Sequence, residues 1–123
     1  MPSYRLSALV VPLVLLGCTH AAEQEAHNLV GGNSESGKLA IEKYGCPSCH
    51  TIPGIRSARS KVGPNLDGIA ARSYVAGVIP NSPDNLMRWI KNPPAVDDKT
   101  AMPNMGVTDK DARDIATYLY TLR

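Results

Sequence analysis

The feature that most constrains this chain is a pair of cysteines separated by two residues and followed at once by a histidine. It occurs in the run Cys46-Pro47-Ser48-Cys49-His50. Two thiols at this spacing lie about one helical turn apart, so both can bond to the same group. The histidine that follows is then held next to that group. Any fold proposed for the chain has to account for this run.

Four uses of such a run can be compared with the rest of the sequence. The C-x-x-C-H pattern is typical of covalent attachment of c-type haem, in which the thiols of Cys46 and Cys49 form thioethers and His50 is the proximal iron ligand. A thioredoxin-like redox pair requires a βαβ context, which the sequence lacks. A zinc site requires further ligands, and residues 35–123 contain no other Cys or His. A disulfide leaves His50 unexplained, so haem attachment is favoured.

Composition supports a prosthetic group in the interior. The 123 residues allow one small domain, and only 5% of them are aromatic, with no Phe and one Trp. Few large side chains are therefore available to fill a core, and one haem c would supply the missing apolar volume. The formal charge of +2, from 13 basic and 11 acidic residues, does not give the strongly basic face that nucleic-acid binding requires.

The N-terminal segment is typical of an export signal. One positive charge at Arg5 precedes a run without charge, Leu6 to Gly17, which is too short to cross a bilayer. Its end, Leu15-Leu16-Gly17-Cys18, resembles the lipobox of bacterial lipoproteins, which predicts a signal peptide over 1–17 and a lipid anchor on Cys18. The alternative is an ordinary signal peptide with an incidental cysteine.

The remainder divides into a polar tether and a helical domain. Residues 18–34 lack helical periodicity and contain Gly31-Gly32, which predicts a flexible tether. Residues 35–123 are predicted to be all-α, with a first helix over Glu35 to Tyr44, a short helix over Asn85 to Lys91 and a last helix that Thr108 caps. No alternating strand pattern of useful length is present.

An electron carrier needs a second axial iron ligand, and three methionines are the candidates. Met87 lies within a predicted helix beside apolar residues, so a core position is favoured for it. Met102 and Met105 lie in a loop ahead of the last helix, where a thioether sulfur can be directed at iron. Periodicity alone does not choose between these two.

The stretch from Ser36 to Arg123 resembles class I cytochromes c, which implies the cytochrome c fold, with crossed N- and C-terminal helices around one covalent haem. The distal ligand in that family is the Met of a Met-Pro pair, which here is Met102-Pro103. The Asn85 to Pro103 stretch is most similar to small bacterial cytochromes and to the cytochrome domain fused to subunit II of some haem-copper oxidases. It has Asp97-Asp98-Lys99 where many of those sequences have Lys-Pro-Gly.

The resemblance also implies roles for other residues. Gly63-Pro64-Asn65-Leu66 resembles the family's Gly-Pro-x-Leu, whose Pro carbonyl accepts the proximal His N–H, a role that falls to Pro64 here. Arg72 matches the Arg near the inner haem propionate, and Tyr74 is a further candidate donor to that group. Trp89 matches the aromatic that packs against haem beside the Met ligand, and Gly37 matches the close crossing of the terminal helices.

The expected function is electron transfer without an enzymatic reaction. With His50 and Met102 both on iron, no position is open for substrate, so the chain is predicted to carry electrons between respiratory donor and acceptor proteins. The acceptor that the resemblance implies is a terminal oxidase. The expected location is the bacterial cell envelope, anchored through Cys18, with the domain on the periplasmic or outer side. The alternatives are a bound subunit of one oxidoreductase complex, a haem sensor or peroxidase with a labile Met, and a structural lipoprotein without haem.

Overall fold

The computed structural model of the chain describes residues 13–123, with side chains from residue 17 onward. Four α-helices account for most of the regular structure: α1 (Leu13–Val30), α2 (Ser34–Lys43), α3 (Pro83–Lys91) and α4 (Asp109–Leu119). Short 3-10 turns occur at Cys46–Ser48, Ile69–Ala71 and Pro93–Ala95. The all-α prediction is thus confirmed for the described residues, and most of the predicted signal peptide, residues 1–12, lies outside them.

Each helix of the domain begins at a side-chain cap. The Asn33 side chain accepts from the Ser36 N–H at 2.8 Å, Ser82 accepts from Asn85 N–H, and Thr108 accepts from Asp111 N–H at 3.1 Å. These bonds satisfy backbone donors that the first turn of a helix leaves unpaired. The cap predicted at Thr108 is therefore confirmed, and the caps set the starts of α2, α3 and α4.

The α2 and α4 helices cross closely at Gly37. A Cβ atom built at Gly37 would lie against the carbonyl oxygen of Asp114 and the Cβ of Tyr118, so only glycine permits this approach. Ile41 and Ile115, each about 2% exposed or less, extend the contact between the two helices. The crossing of terminal helices that the resemblance implied is thus observed.

A small hairpin interrupts the helical structure. Strand β1 (Tyr74–Val75) pairs antiparallel with β2 (Ile79–Pro80), with Val75 opposite Ile79. Residues 76–78 join the strands, and Ala76 at φ 55° and Gly77 at φ 72° both lie in the left-handed region that hairpin turns favour. Strands of two residues are too short for an alternating pattern to be visible in the sequence.

The prediction of a flexible tether over 18–34 requires correction. Residues up to Val30 continue the helix α1, whose Ala26 and Val30 are buried against α4. Residues 18–30 include three Ala, two Glu, one Gln and one Leu, which are strong helix formers. Its buried stripe is made mainly of alanine, which gives too weak a hydrophobic period to be recognised without its packing partner. Cys18 is exposed on this helix.

We expect Gly37→Ala to lower the free energy of unfolding of the haem-loaded protein by about 1–3 kcal/mol, because the new methyl group overpacks the α2–α4 crossing. Guanidinium denaturation followed by far-UV circular dichroism measures this change. Leu39→Ala on the same helix is the control, since Leu39 is 70% exposed, and its effect should stay within about 0.5 kcal/mol. Equal effects of the two substitutions would contradict the close crossing.

Candidate functional site

The Cys46 to His50 run forms a tight turn that begins at Gly45. Gly45 has φ 75°, a left-handed conformation, and Cys46–Ser48 is one turn of 3-10 helix. The carbonyl oxygen of Cys46 accepts from the N–H of Cys49 at 3.1 Å and from that of His50 at 3.0 Å. This turn brings the two cysteines and the histidine into one short segment, and both cysteines are free and partly buried.

The imidazole of His50 is oriented by a backbone hydrogen bond. Its Nδ1 lies 2.6 Å from the carbonyl oxygen of Pro64, and a carbonyl only accepts, so Nδ1 carries the proton. The lone pair of Nε2 is then available to a metal ion. The Pro64 carbonyl is therefore the acceptor for the N–H of His50 in this structure.

Gly63 allows the Pro64 loop to approach the His50 ring. A Cβ atom built at Gly63 would lie 2.7 Å from Cε1 and 3.0 Å from Nδ1 of that ring. The Gly63 N–H also donates to the carbonyl oxygen of Cys49 at 2.6 Å, which ties the loop to the cysteine turn. The glycine that precedes Pro64 is thus required by contact with the histidine.

A cavity of about 520 Å³ opens beside these residues. A smaller one, of about 60 Å³, adjoins it and has His50, Trp89 and Met102 in common with it. The larger volume lies in the range of cofactor sites, and its walls are mainly apolar. The eight predicted haem-site residues all line one or both cavities: Cys46, Cys49, His50, Pro64, Arg72, Tyr74, Trp89 and Met102.

The residues around the cavities fit a covalently held iron porphyrin. Two thiols on one turn, one imidazole nitrogen and one thioether sulfur border the same space, which is the donor set that c-type attachment uses. Burial raises the pKa of the Cys46 thiol by desolvating its thiolate, with the nearby Cys49 acting in the same direction. The apolar setting that raises this pKa also suits a neutral thioether.

The three methionines are placed differently. Met102 lines both cavities and is half-buried, whereas Met105 lines only the smaller one and is 45% exposed. Met87 packs against the core, the position favoured for it from the sequence. The Asp97 to Lys99 segment forms a turn in which the Asp97 side chain accepts from the Lys99 N–H at 3.0 Å. This turn leads into the Met102 loop without a Lys-Pro-Gly sequence.

The wall that carries Arg72 depends on residues that the sequence did not reveal. The Asn81 amide donates to the carbonyl oxygens of Ile69 and Arg72, both at 2.9 Å, and the Tyr120 hydroxyl donates to the Asn81 side-chain oxygen at 2.9 Å. The Arg72 guanidinium donates in turn to the carbonyl oxygens of Asn65 and Asp67. Arg72 therefore holds the loop that contains Asn65 and Asp67 at the cavity edge. This role is additional to the one that the resemblance implied.

Tyr74 and Trp89 differ in exposure. Tyr74 is 59% exposed at the start of the hairpin, on the rim of the larger cavity. Trp89 is half-buried on α3 and packs against the core. Trp89 can therefore exclude water from the cavity, whereas Tyr74 borders its mouth.

An all-helical domain that surrounds such a cavity, with a C-x-x-C-H turn on its wall, defines a c-type haem protein. The family model for cytochrome c matches residues 34–123, and the chain belongs to the cytochrome c family. Membership implies covalently bound haem and electron transfer.

Two curated relatives are each similar to part of the chain. The "Cytochrome c oxidase subunit 2" of Alkalihalophilus pseudofirmus is 26% identical over 91 residues, which cover 73% of this chain and 26% of that protein. The protein of the same name from Bacillus sp. strain PS3 is 27% identical over 88 residues, covering 68% and 25%. The chain thus spans about a quarter of the length of these relatives. Among residues 13–123, no helix is both long and apolar enough to cross a bilayer.

We expect Gly63→Ala to displace the His50 ring or the Pro64 loop, because the added methyl group would overlap the imidazole. The cost should be about 1–3 kcal/mol of unfolding free energy, and the Nδ1 proton of His50 should exchange faster by NMR. Val62→Ala is the neighbouring control, since Val62 is 81% exposed. An unchanged Nδ1 proton in Gly63→Ala would contradict the contact.

We expect Tyr120→Phe to lower the free energy of unfolding by about 1 kcal/mol, the typical net value of one hydrogen bond. Burial raises the pKa of Tyr120 above its ordinary value, so folding favours the neutral phenol. The stabilisation should therefore be present at neutral pH and be lost as the pH rises through the raised pKa. Denaturation curves at several pH values measure this, and Tyr74→Phe, at a position 59% exposed, should change the free energy of unfolding at neutral pH by no more than about 0.5 kcal/mol.

Proposed function

We propose that this chain is a single-haem c-type cytochrome that carries one electron at a time between respiratory proteins. Cys46 and Cys49 hold the haem through thioethers, and His50 and Met102 are the axial ligands of its iron. The observation that carries the proposal is that Met102 borders the same cavity as His50, whose Nδ1 is bonded to Pro64. A closed, six-coordinate iron leaves no position for substrate, so the protein is a carrier.

The bound haem supplies the redox chemistry. The residues of the chain set the conditions for it: the Pro64 carbonyl fixes the tautomer of His50 and raises its basicity. A thioether ligand at Met102 favours the ferrous state relative to a second imidazole, which raises the reduction potential. The apolar cavity walls and Trp89 would keep water away from the bound haem, which would act in the same direction. No proton transfer is required, and the electron enters and leaves through the exposed cavity mouth.

The electron acceptor that we propose is a terminal oxidase of the same membrane. Support comes from the two relatives, whose name is that of an oxidase subunit. The high potential that His/Met ligation favours suits the oxidising end of a respiratory chain. Copurification distinguishes two forms of this function. A bound subunit of one complex copurifies with the oxidase in constant ratio, whereas a carrier that exchanges between partners does not.

We further propose that the protein is exported and lipid-anchored through Cys18. Cys18 is exposed, and it follows the uncharged run that ends at Gly17. Acyl chains on Cys18 would hold the domain at a membrane surface, on the periplasmic or outer side of the bacterial envelope. Mass spectrometry of the mature protein tests this, since the expected product begins at Cys18 and carries lipid.

We expect the oxidised protein to show the weak far-red charge-transfer band of a Met sulfur bound to ferric haem. Met102→Ala should abolish this band, because it removes the axial thioether. Met105→Ala is the matched control and should retain it, since Met105 borders only the smaller cavity. Absorption spectroscopy of the purified proteins gives the answer. A high-spin spectrum of the parent protein would instead indicate an open iron and favour the sensor or peroxidase alternative.

A further inference from the structure

The helix α1 lies outside the residues that match the cytochrome c family, yet it is packed on the domain. The family match begins at residue 34, whereas α1 ends at Val30. On its inner face Ala26 is fully buried and Val30 is 5% exposed, both in the core cluster of the domain. The family therefore does not account for this helix, and its buried contacts require another explanation.

The link between α1 and α2 is bound by polar side chains of α4. The Gly32 N–H donates to Thr117 Oγ1 at 3.1 Å, and the Asn33 N–H donates to the Asp114 carboxylate at 2.8 Å. Thr117 is fully buried and Asp114 is 5% exposed, so the bond to Thr117 is shielded from water and the bond to Asp114 is partly shielded. The polar groups buried on α4 are thus satisfied in part by the link to α1 and in part within α4, where Lys110 donates to Asp114 and Thr117 donates to the carbonyl oxygen of Arg113.

The same link has a steric requirement for glycine. A Cβ atom built at Gly32 would lie 2.7 Å from the carbonyl oxygen of Arg113 and 2.5 Å from Thr117 Oγ1. Gly31 has φ 82°, which directs the chain back from α1 towards α2. At the other end of α4, Glu25 and Arg123 form an exposed ion pair at 2.7 Å, which adds little energy but agrees with the packing. Apolar packing and one ion pair hold α1 itself, and two hydrogen bonds hold the turn that follows it.

The turn that follows α1 contacts α4 on the side away from the smaller cavity. Thr117 binds the Gly32 turn, whereas Ile115 and Leu119 line the smaller cavity. Two residues along an α-helix correspond to a rotation of about 200°. No described side chain of α1 lines either cavity, so α1 leaves the cavity mouth free for a partner.

We propose that α1 is a docked arm, which holds the domain close to its attachment surface and presents the cavity mouth in a fixed direction relative to that arm. The partner that this arrangement fits is a redox protein whose electron-entry site lies near the same surface. A domain of this kind serves a partner within one assembly, because it does not turn freely between distant partners. This inference rests on the proposed electron transfer and on the anchor at Cys18.

A docked arm and a tether differ in reach, which is the distance from Cys18 at which the domain can lie. An extended segment over 18–34 would span up to about 55 Å. In the helix α1 the distance from Cys18 to the buried Ala26 is only about 12 Å along the axis. Docking therefore removes most of the reach that a tether would give. The docked domain could not approach an electron-entry site far from the membrane.

Hydrogen exchange of the haem-loaded full chain tests the docking. In the parent protein the amides of residues 24–30 should be protected, because α1 is packed. Ala26→Gln, which puts a polar side chain at a fully buried position, should speed their exchange by at least about tenfold, and Gly32→Ala should do the same through a different contact. Ala21→Gln is the matched control at an exposed position of the same helix. Unprotected amides in the parent, or equal exchange in Ala26→Gln and Ala21→Gln, would overturn the docked arm.

The reach is tested with the lipidated haem protein on phosphatidylcholine–phosphatidylglycerol vesicles that carry a headgroup fluorophore. Haem quenches the fluorophore at short range, so the parent protein and Ala21→Gln should quench strongly and Ala26→Gln clearly less. Equal quenching by all three would overturn the limited reach. A protein that does not bind the vesicles would overturn the anchor and the reach together, whereas the hydrogen-exchange result would still decide the docking. The absorption spectrum of each variant shows separately whether the proposed haem ligation holds.

Discussion

The central constraint on this structure is an interior that its own side chains do not fill. The largest fully buried side chains include Ile41, Ile52 and Leu86, and the chain has no Phe. The elements therefore surround a cavity of about 520 Å³, and the cysteine turn, the Pro64 loop and the Met102 loop all border it. An apolar cofactor in this space would complete the core, so the group that carries the electron is also the group around which the helices pack.

The wall of the cavity is organised by backbone hydrogen bonds. His50 is directed by the Pro64 carbonyl, and the Arg72 edge is held through Asn81 and Tyr120. A backbone acceptor keeps its position more firmly than a mobile side chain would, which favours a fixed ligand geometry. Tyr120, which follows α4, thereby stabilises the Arg72 edge of the cavity, from which it is distant in sequence.

The parts of the site that could be predicted from the sequence are those whose chemistry is local. The spacing of Cys46, Cys49 and His50 and the cap at Thr108 depend only on neighbours within a few residues. The Asn81–Tyr120 bond could not be predicted, because it joins residues 39 positions apart and neither has a distinctive local pattern. The helix α1 was not predicted for a related reason: alanine at its buried positions gives little hydrophobic contrast, and only the α4 surface shows why they are buried.

The docked α1 explains why two polar residues of α4 are buried. Asp114 and Thr117 would be ordinary exposed residues on the outer side of a terminal helix, yet both are buried beneath the turn that precedes α2. A flexible lead-in would leave them in water and would need no glycine at position 32. Their burial costs solvation, which the hydrogen bonds to Gly32 and Asn33 offset together with the bonds of Thr117 to Arg113 and of Asp114 to Lys110. A fixed arm, and not a tether, therefore explains the positions of Asp114, Thr117, Gly32 and Asn33. These contacts tie the position of the domain to the segment that carries Cys18.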